Sequence, residues 1–238
     1  MRRALVLVCL VSTAAHAAPT MLNQIPITDL VPVKQVSLQL QNGNTEVSGR
    51  SSVFHQPELV PQSEFGLPGN IEAGLDVAPS DPPHDYRPEM NVKWNPVRED
   101  YRVPAVAVGA TQLGVGFTPN YFLVLSKTLN YQQIEYQKFR AHHRNVKLRG
   151  IRLHAGLLRT SNAWRALAGT DIEVNDHFVV YADWISGAQS AVSLGGVLVI
   201  DRQNSVQVSL LRGNTADRVS GVLVGLTHTF DLTHPFEW

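Results

Sequence analysis

Apolar and polar residues alternate with a period of two through most of the chain. Val36, Leu38 and Leu40 alternate with Ser37, Gln39 and Gln41, and Ile71, Ala73, Leu75 and Val77 with Glu72, Gly74 and Asp76. Met90, Val92 and Trp94 are likewise spaced by Asn91, Lys93 and Asn95, and Val206, Val208 and Leu210 by Ser205, Gln207 and Ser209. Successive side chains of a strand point to opposite faces, so each run reads as a strand with one apolar and one polar face. Turn-forming clusters separate the runs: Pro68-Gly69-Asn70, the proline-rich 80–83, Asn175-Asp176, 201–204 and Gly213-Asn214.

This punctuation predicts twelve strands, at 34–41, 58–67, 71–78, 89–97, 104–114, 120–129, 146–158, 164–174, 177–186, 189–200, 205–212 and 218–230. Pro61 requires an edge or a bulge in the second, because it has no amide hydrogen to give a ladder. An alternative partition folds Asn42-Gly43 into a tight hairpin with 45–54 as the returning strand. In the seventh strand the apolar phase slips between Leu148 and Ile151, which a bulge at Gly150 explains. Residues 18–33, with Pro19, Pro26 and Pro32, read as an extended periplasmic leader, and 130–145 has no strand pattern. No domain boundary is visible.

Two architectures bury one face of every strand. A sandwich or lipocalin-like barrel is apolar inside, and a transmembrane barrel is apolar outside. Three features favour the second. Strands of about 9 to 11 residues match a tilted bilayer crossing, whereas ordinary strands average about 5 to 6. The polar face carries charge in mid-strand, at Glu72, Asp76, Lys93, Arg152, Asp171, Glu173 and Asp183, which suits a wet lumen. Tyr101, Phe117, Tyr121, Phe122, Trp164, Phe178, Trp184 and Phe230 gather near strand ends, where interfacial girdles sit. An even strand count returns both termini to one side. The expected fold is therefore all-β: a single transmembrane antiparallel β-barrel of about twelve strands over 34–230, with a C-terminal tail at 231–238. With the termini in the periplasm, 42–57 is an external loop, while 68–70, 98–103, 130–145, 175–176 and 201–204 face the periplasm.

Composition narrows the partners. The 238 residues carry 20 Lys+Arg against 20 Asp+Glu. A net charge of zero gives no electrostatic footprint for nucleic acid, and 17% charged residues are too few for a disordered solvating chain. No apolar run after Ala17 is long enough to cross a bilayer as a helix; the longest, 191–200, is broken by Ser193, Gly195 and Gly196. The amino terminus reads as a secretory signal over residues 1–17. Met1-Arg2-Arg3 is its positive region, 4–14 its apolar region and Ala15-His16-Ala17 its small-x-small cleavage site. Cleavage there removes two arginines, giving net −2, and also Cys9, the only cysteine. Disulfides, thiolate zinc sites and cysteine nucleophiles are then excluded.

Candidate chemistry is sparse. His154, on the seventh strand, has Ser126 on the neighbouring strand as its nearest partner for a serine–histidine arrangement, which also needs an acid to orient the imidazole. A histidine in a polar lumen ordinarily joins its hydrogen-bond network, so no catalytic residue is assigned and no enzyme is expected. His142-His143 is a vicinal pair whose rings reach one ion only in an irregular loop, so no metal or cofactor is expected. Lys138, Arg140, His142, His143 and Arg144 form a basic segment that reads first as a solvated loop and second as a surface for lipid phosphate or acidic polysaccharide. The lumen-facing candidates are Glu72, Asp76, Lys93, Arg152, His154, Asp171, Glu173 and Asp183. They either cross-link the lumen or line a permeation path.

The tract from Asn91-Val92-Lys93 through 104–109 to Tyr121-Phe122-Leu123-Val124-Leu125-Ser126-Lys127 resembles hairpins of small Gram-negative outer-membrane barrels, in particular YjbH-like proteins linked to exopolysaccharide production. The closing strand, 222–230, resembles the aromatic-ended insertion signal of such barrels. The resemblance implies an outer-membrane location and barrel architecture and, as an extension, polysaccharide export. The expected function is a narrow porin-like channel or transport component for small polar solutes or saccharides, with outer-membrane lipid as its surroundings. The alternatives are a plugged structural or assembly barrel acting through its loops beside polysaccharide-export machinery, and a soluble periplasmic β-barrel binding protein.

Overall fold

The computed structural model describes residues 22, 24–44, 58–80, 85–114, 118–129, 150–161, 163–188, 190–215 and 221–233. They form twelve strands and, among them, no helix. The strands are β1 (Gln35–Asn44), β2 (Glu58–Leu67), β3 (Ile71–Ser80), β4 (Asp85–Val97), β5 (Ala105–Leu113), β6 (Asn120–Thr128), β7 (Ile151–Arg159), β8 (Trp164–Asn175), β9 (Phe178–Ile185), β10 (Ala191–Val199), β11 (Asn204–Gly213) and β12 (Gly221–Asp231). Each pairs antiparallel with the next, and β12 returns to β1 in register from Gln35↔Asp231 to Asn44↔Val222. The sheet is a closed barrel, so neither terminal strand leaves its backbone groups exposed as an edge.

The alternation of the sequence sets the two faces. Leu38, Leu75, Met90, Trp94, Leu194, Leu210 and Leu226 lie exposed on the outside, while Glu72, Asp76, Glu89, Lys93, Ser126, His154 and Asp183 are buried inside. A one-residue register slip would exchange the two sets, so this inside-out distribution fixes every ladder. Tyr121 and Trp164 stand outward at strand ends. Phe122, expected among the interfacial aromatics, instead faces the interior and packs with Ala107 and Val124. It follows Tyr121 directly, and adjacent strand residues cannot share a face. Phe117 lies outside the described residues.

Asn42 and Gly43 are internal to β1, paired with Leu59 and Glu58 on one side and with Val224 and Leu223 on the other. That pairing excludes the tight hairpin considered above; 45–54 lies outside the described residues. Pro61 meets the requirement for an edge. The β2–β3 ladder runs only from Gln62↔Asp76 to Leu67↔Ile71, and Pro61 is the first residue beyond it. Pro96 falls within the register shift between Trp94 and Val97. Strand β7 begins directly after Gly150, and residues 146–149 are outside the described set. The same holds for 1–17, 130–145 and 234–238.

Short turns at 68–70, 98–104, 176–177 and 200–203 share one end of the barrel with the start of β1 and the end of β12. Strand alternation puts Leu129 and Gly150, which flank 130–149, at this same end. Carboxylates tie two of these turns. Asp201 Oδ1 accepts from the amides of Gln203 and Asn204, each at 2.8 Å. Asp100 Oδ1 accepts from Val103 N at 2.7 Å and Arg102 N at 2.6 Å. These amide bonds hold both carboxyls below their ordinary value of 3.8, the Gln203 bond contributing most for Asp201 and the Val103 bond for Asp100. A lowered carboxyl stabilises the turn fully above its unfolded value and loses that contribution as the pH falls through the folded value. Amide exchange protection at Gln203 and Asn204 is therefore expected to hold from pH 7 to about 4 and to fall below it. In Asp201→Asn this acid step should vanish; its persistence would refute the assignment.

Candidate functional site

A polar interior is stable only if its groups find partners, because an isolated buried charge costs several kcal/mol. Much of that need is met by the chain's own amino-terminal part. Residues 24–34, of which 24–33 belong to the stretch read from the sequence as a leader, run along the wall, 24–31 inside the barrel and 32–34 exposed at its end. Leu22, Ile25, Ile27 and Val31 are buried, and Ile25 is wholly enclosed, packing with Leu167 and Tyr181. Enclosing one such side chain contributes about 1.5–3 kcal/mol.

The wall holds the segment by its backbone and by its side chains. Asp183 Oδ2 accepts from Gln24 N at 2.8 Å, and Glu72 Oε2 accepts from Val31 N at 2.7 Å. Asn95 Nδ2 donates to Thr28 O at 2.7 Å, and Gln207 Nε2 to Leu22 O at 2.8 Å. Side chains add a second set. Gln24 Nε2 donates to Asp183 Oδ1 at 3.0 Å, and Arg152 donates to Thr28 Oγ1 at 2.8 Å and to both oxygens of Asp29 at 2.7 and 2.6 Å. Two wall glycines give the segment room. A Cβ on Gly169 would come within 2.7 Å of the Leu22 and Ile25 methyls, and one on Gly66 would run into the carbonyl oxygens of Val31 and Pro32. Val33 forms a parallel bridge with Gly66, and Lys34 N donates to Gly66 O at 3.1 Å before the chain enters β1.

Three adjacent strands then align a serine, a histidine and an acid. Ser126 on β6 and His154 on β7 are register partners, with Ser126 Oγ 2.7 Å from His154 Nδ1. His154 Nε2 lies 2.7 Å from Asp171 Oδ2 on β8. Ionised Asp171 only accepts, so Nε2 carries a proton, and in the neutral ring Nδ1 accepts from Ser126. The Ser126 side chain is sealed at 0% exposure, while Asp171 at the other end of the line is 18% exposed. A nucleophile needs the opposite order, with its oxygen open to substrate. In this order the line braces Asp171 opposite Arg152, its cross-strand partner, whose guanidinium grips Asp29.

The remaining sequence candidates divide. Lys93 Nζ pairs with Glu72 Oε1 at 3.0 Å, both fully buried, so Glu72 joins a wall cation to the segment amide at Val31. Asp76 accepts from Asn91 and faces Glu89 across the β3–β4 ladder. Its Oδ1 has no hydrogen-bond partner among the described residues. Glu173 has the inward phase of β8 but is exposed near the strand's end. Arg165, a further charge on the inward phase of β8, donates to Ser186 O at 3.0 Å and Ser190 Oγ at 3.1 Å, away from the segment. Lys138, Arg140, His142, His143 and Arg144 lie outside the described residues, as does the question of what they bind. Sequence reading did not single out Gln207, Asn95 or Tyr181. Gln207 and Asn95 sit on the polar phase of their runs, but a neutral amide carries no charge to mark it. Gln207 Nε2 also donates to Tyr181 Oη at 2.7 Å, joining the segment's inner end to β9.

No protein-family model matches the chain, and no curated protein matches it.

Proposed function

We propose that this protein is an outer-membrane β-barrel whose lumen is closed by its own residues 24–34, and that it passes small polar solutes, saccharides among them, when that segment moves. The observation that carries the reading is the inverted barrel: apolar side chains cover the outside, and a polar interior is occupied by the chain's own segment. An outer wall bearing Trp94, Trp164, Leu194 and Leu210 in the open suits lipid. In water it would be an apolar surface well beyond the patch that soluble monomers expose, which counts against a soluble periplasmic binding protein. The resemblance of the Asn91–Lys127 and 222–230 tracts to exopolysaccharide-associated barrels supports saccharides as the solute class. A second reading, a permanently plugged structural or assembly barrel, draws on the complete enclosure of Ile25.

Planar-bilayer recording separates the two. The wild-type barrel is expected to be silent or to open rarely. Arg152→Gln combined with Asp183→Ala removes the grip on Asp29 and the acceptor of Gln24 N, and should give stable openings. Silence of this variant, with heat-modifiable gel migration proving it folded, would exclude the gated pore and leave the plugged barrel.

A further inference from the structure

The barrel wall is incompletely zipped between β2 and β3. Strand β2 pairs with β1 from Gly43↔Glu58 to Val36↔Phe65, and β3 pairs with β4 along its whole length. Between β2 and β3 the ladder stops at Gln62↔Asp76. Continuing that register would pair Pro61 with Val77 and Leu59 with Pro79, yet neither pair forms. Two of these four residues are prolines and bring no amide hydrogen to a ladder. The gap takes in the first four residues of β2 and the last four of β3, toward the barrel end away from the short turns. Through β1 its β2 edge is level with Leu223 to Leu226 of β12, within the barrel wall and its outward apolar residues Val224 and Leu226.

Beside the gap the outer wall carries a groove of about 610 Å³, within the range of about 300–1,000 Å³ usual for ligand sites. Leu38, Leu40, Pro61, Leu75 and Val77 line it at the gap, and Ile200, Val206 and Leu226 line its other flank. One end is polar. Near the short turns His228 Nδ1 lies 2.7 Å from Asn204 Oδ1, and both residues line the groove. A furrow that is apolar along its length and polar at the barrel's end has the polarity of a lipid: a tail running along the wall and a head at the membrane boundary.

We infer that the unzipped β2–β3 seam and this groove form a lateral site for one acyl chain of a membrane phospholipid, its head group at the His228–Asn204 end and its tail against Leu38, Leu40, Leu75 and Val77 toward the seam. The inference rests on the membrane placement proposed above. Where the ladder ends, Leu40, Pro61 and Val77 offer the tail an apolar surface. The head end meets a histidine and an amide, both able to hydrogen-bond phosphate.

The full chain reconstituted with phosphatidylcholine bearing a diazirine near the tail's end tests this directly. On illumination, cross-links should concentrate at 38–40, 61–63 and 75–77, at least about fivefold above the outward face of β9 and β10. Ser63→Trp, which fills the groove floor, should remove the excess. In Cys9→Ser, Pro61→Cys with Val77→Cys should form a disulfide that closes the seam and reduces cross-linking, and a reductant should restore it. Even labelling around the belt, or an excess that survives Ser63→Trp, would overturn the lateral site and leave the membrane placement standing. No labelling anywhere on the wall of the folded protein would overturn the membrane placement itself.

Discussion

Valine at Gly66 is expected to unseat the interior segment while leaving the barrel closed. The new Cβ meets the carbonyl oxygens of Val31 and Pro32, and neither side can yield easily. Val31 N is held by Glu72 at 2.7 Å, and the segment passes within a few residues into β1, whose partners on both sides fix its position. Overpacking of this kind costs about 1–3 kcal/mol. At 1.4 kcal/mol per tenfold, the open population should rise about 5- to 140-fold. Ile27, 7% exposed in the closed barrel, is a suitable reporter. In a Cys9→Ser background, Ile27→Cys should react slowly with maleimide, and adding Gly66→Val should speed the reaction by that factor. An unchanged rate in folded protein would mean that the wall gives way instead of the segment.

The second large effect is expected from Lys93→Met. Lys93 and Glu72 are a buried pair at 3.0 Å, and removing one partner of such a pair costs about 3–5 kcal/mol because the other charge remains inside. Glu72 would keep the Val31 amide but lose the cation facing it. Urea titration of the folded barrel should show the full loss in Lys93→Met and recovery of most of it in Lys93→Met with Glu72→Gln. Glutamine keeps an oxygen for Val31 N and carries no charge. A loss below about 1 kcal/mol in the single variant would show that water reaches Glu72 and screens it, as at an exposed pair.

How much of this was legible in the sequence follows from which forces act locally. Alternation in Ile71–Val77 and Met90–Trp94 requires only neighbouring residues, and the strands it predicts are the strands observed, down to a second strand at 58–67 weakened by Pro61. The segment at 24–34 carries only a broken alternation. Ile25, Ile27, Val31 and Val33 fall at period two, but Asp29 stands between them, Leu30 is on the other phase and Pro26 and Pro32 interrupt, while its long-range contacts come from residues 32 to 185 positions away. Nothing local distinguishes such a stretch from a solvent-borne leader. The Ser126–His154 pair was visible as two polar residues on neighbouring strands. Asp171 was not tied to them, because it meets His154 diagonally: the direct partner of His154 is Gly169, and that of Asp171 is Arg152. A diagonal contact needs the register, and the register depends on the residues where each strand turns. The end of the β2–β3 ladder was foreshadowed only by the proline.

The position of residues 24–34 immediately before β1 imposes an order of events on the growing barrel. The last seam to close joins Gln35 to Asp231, residues nearly at opposite ends of the chain, and such distant pairings form late because their loop entropy must be met first. Once β1 and β12 have zipped, the wall closes around the buried residues 25–28 and 31, and the way in is along the barrel's axis past the turn at its own end. A curved sheet that has not yet closed offers no such obstacle: Asp183, Gln207, Asn95 and Arg152 can take up the segment while the two outermost strands are still apart. The segment is in this sense a mandrel around which the sheet is rolled, and a chain that closed before capturing it would hold a different interior from one that captured it first.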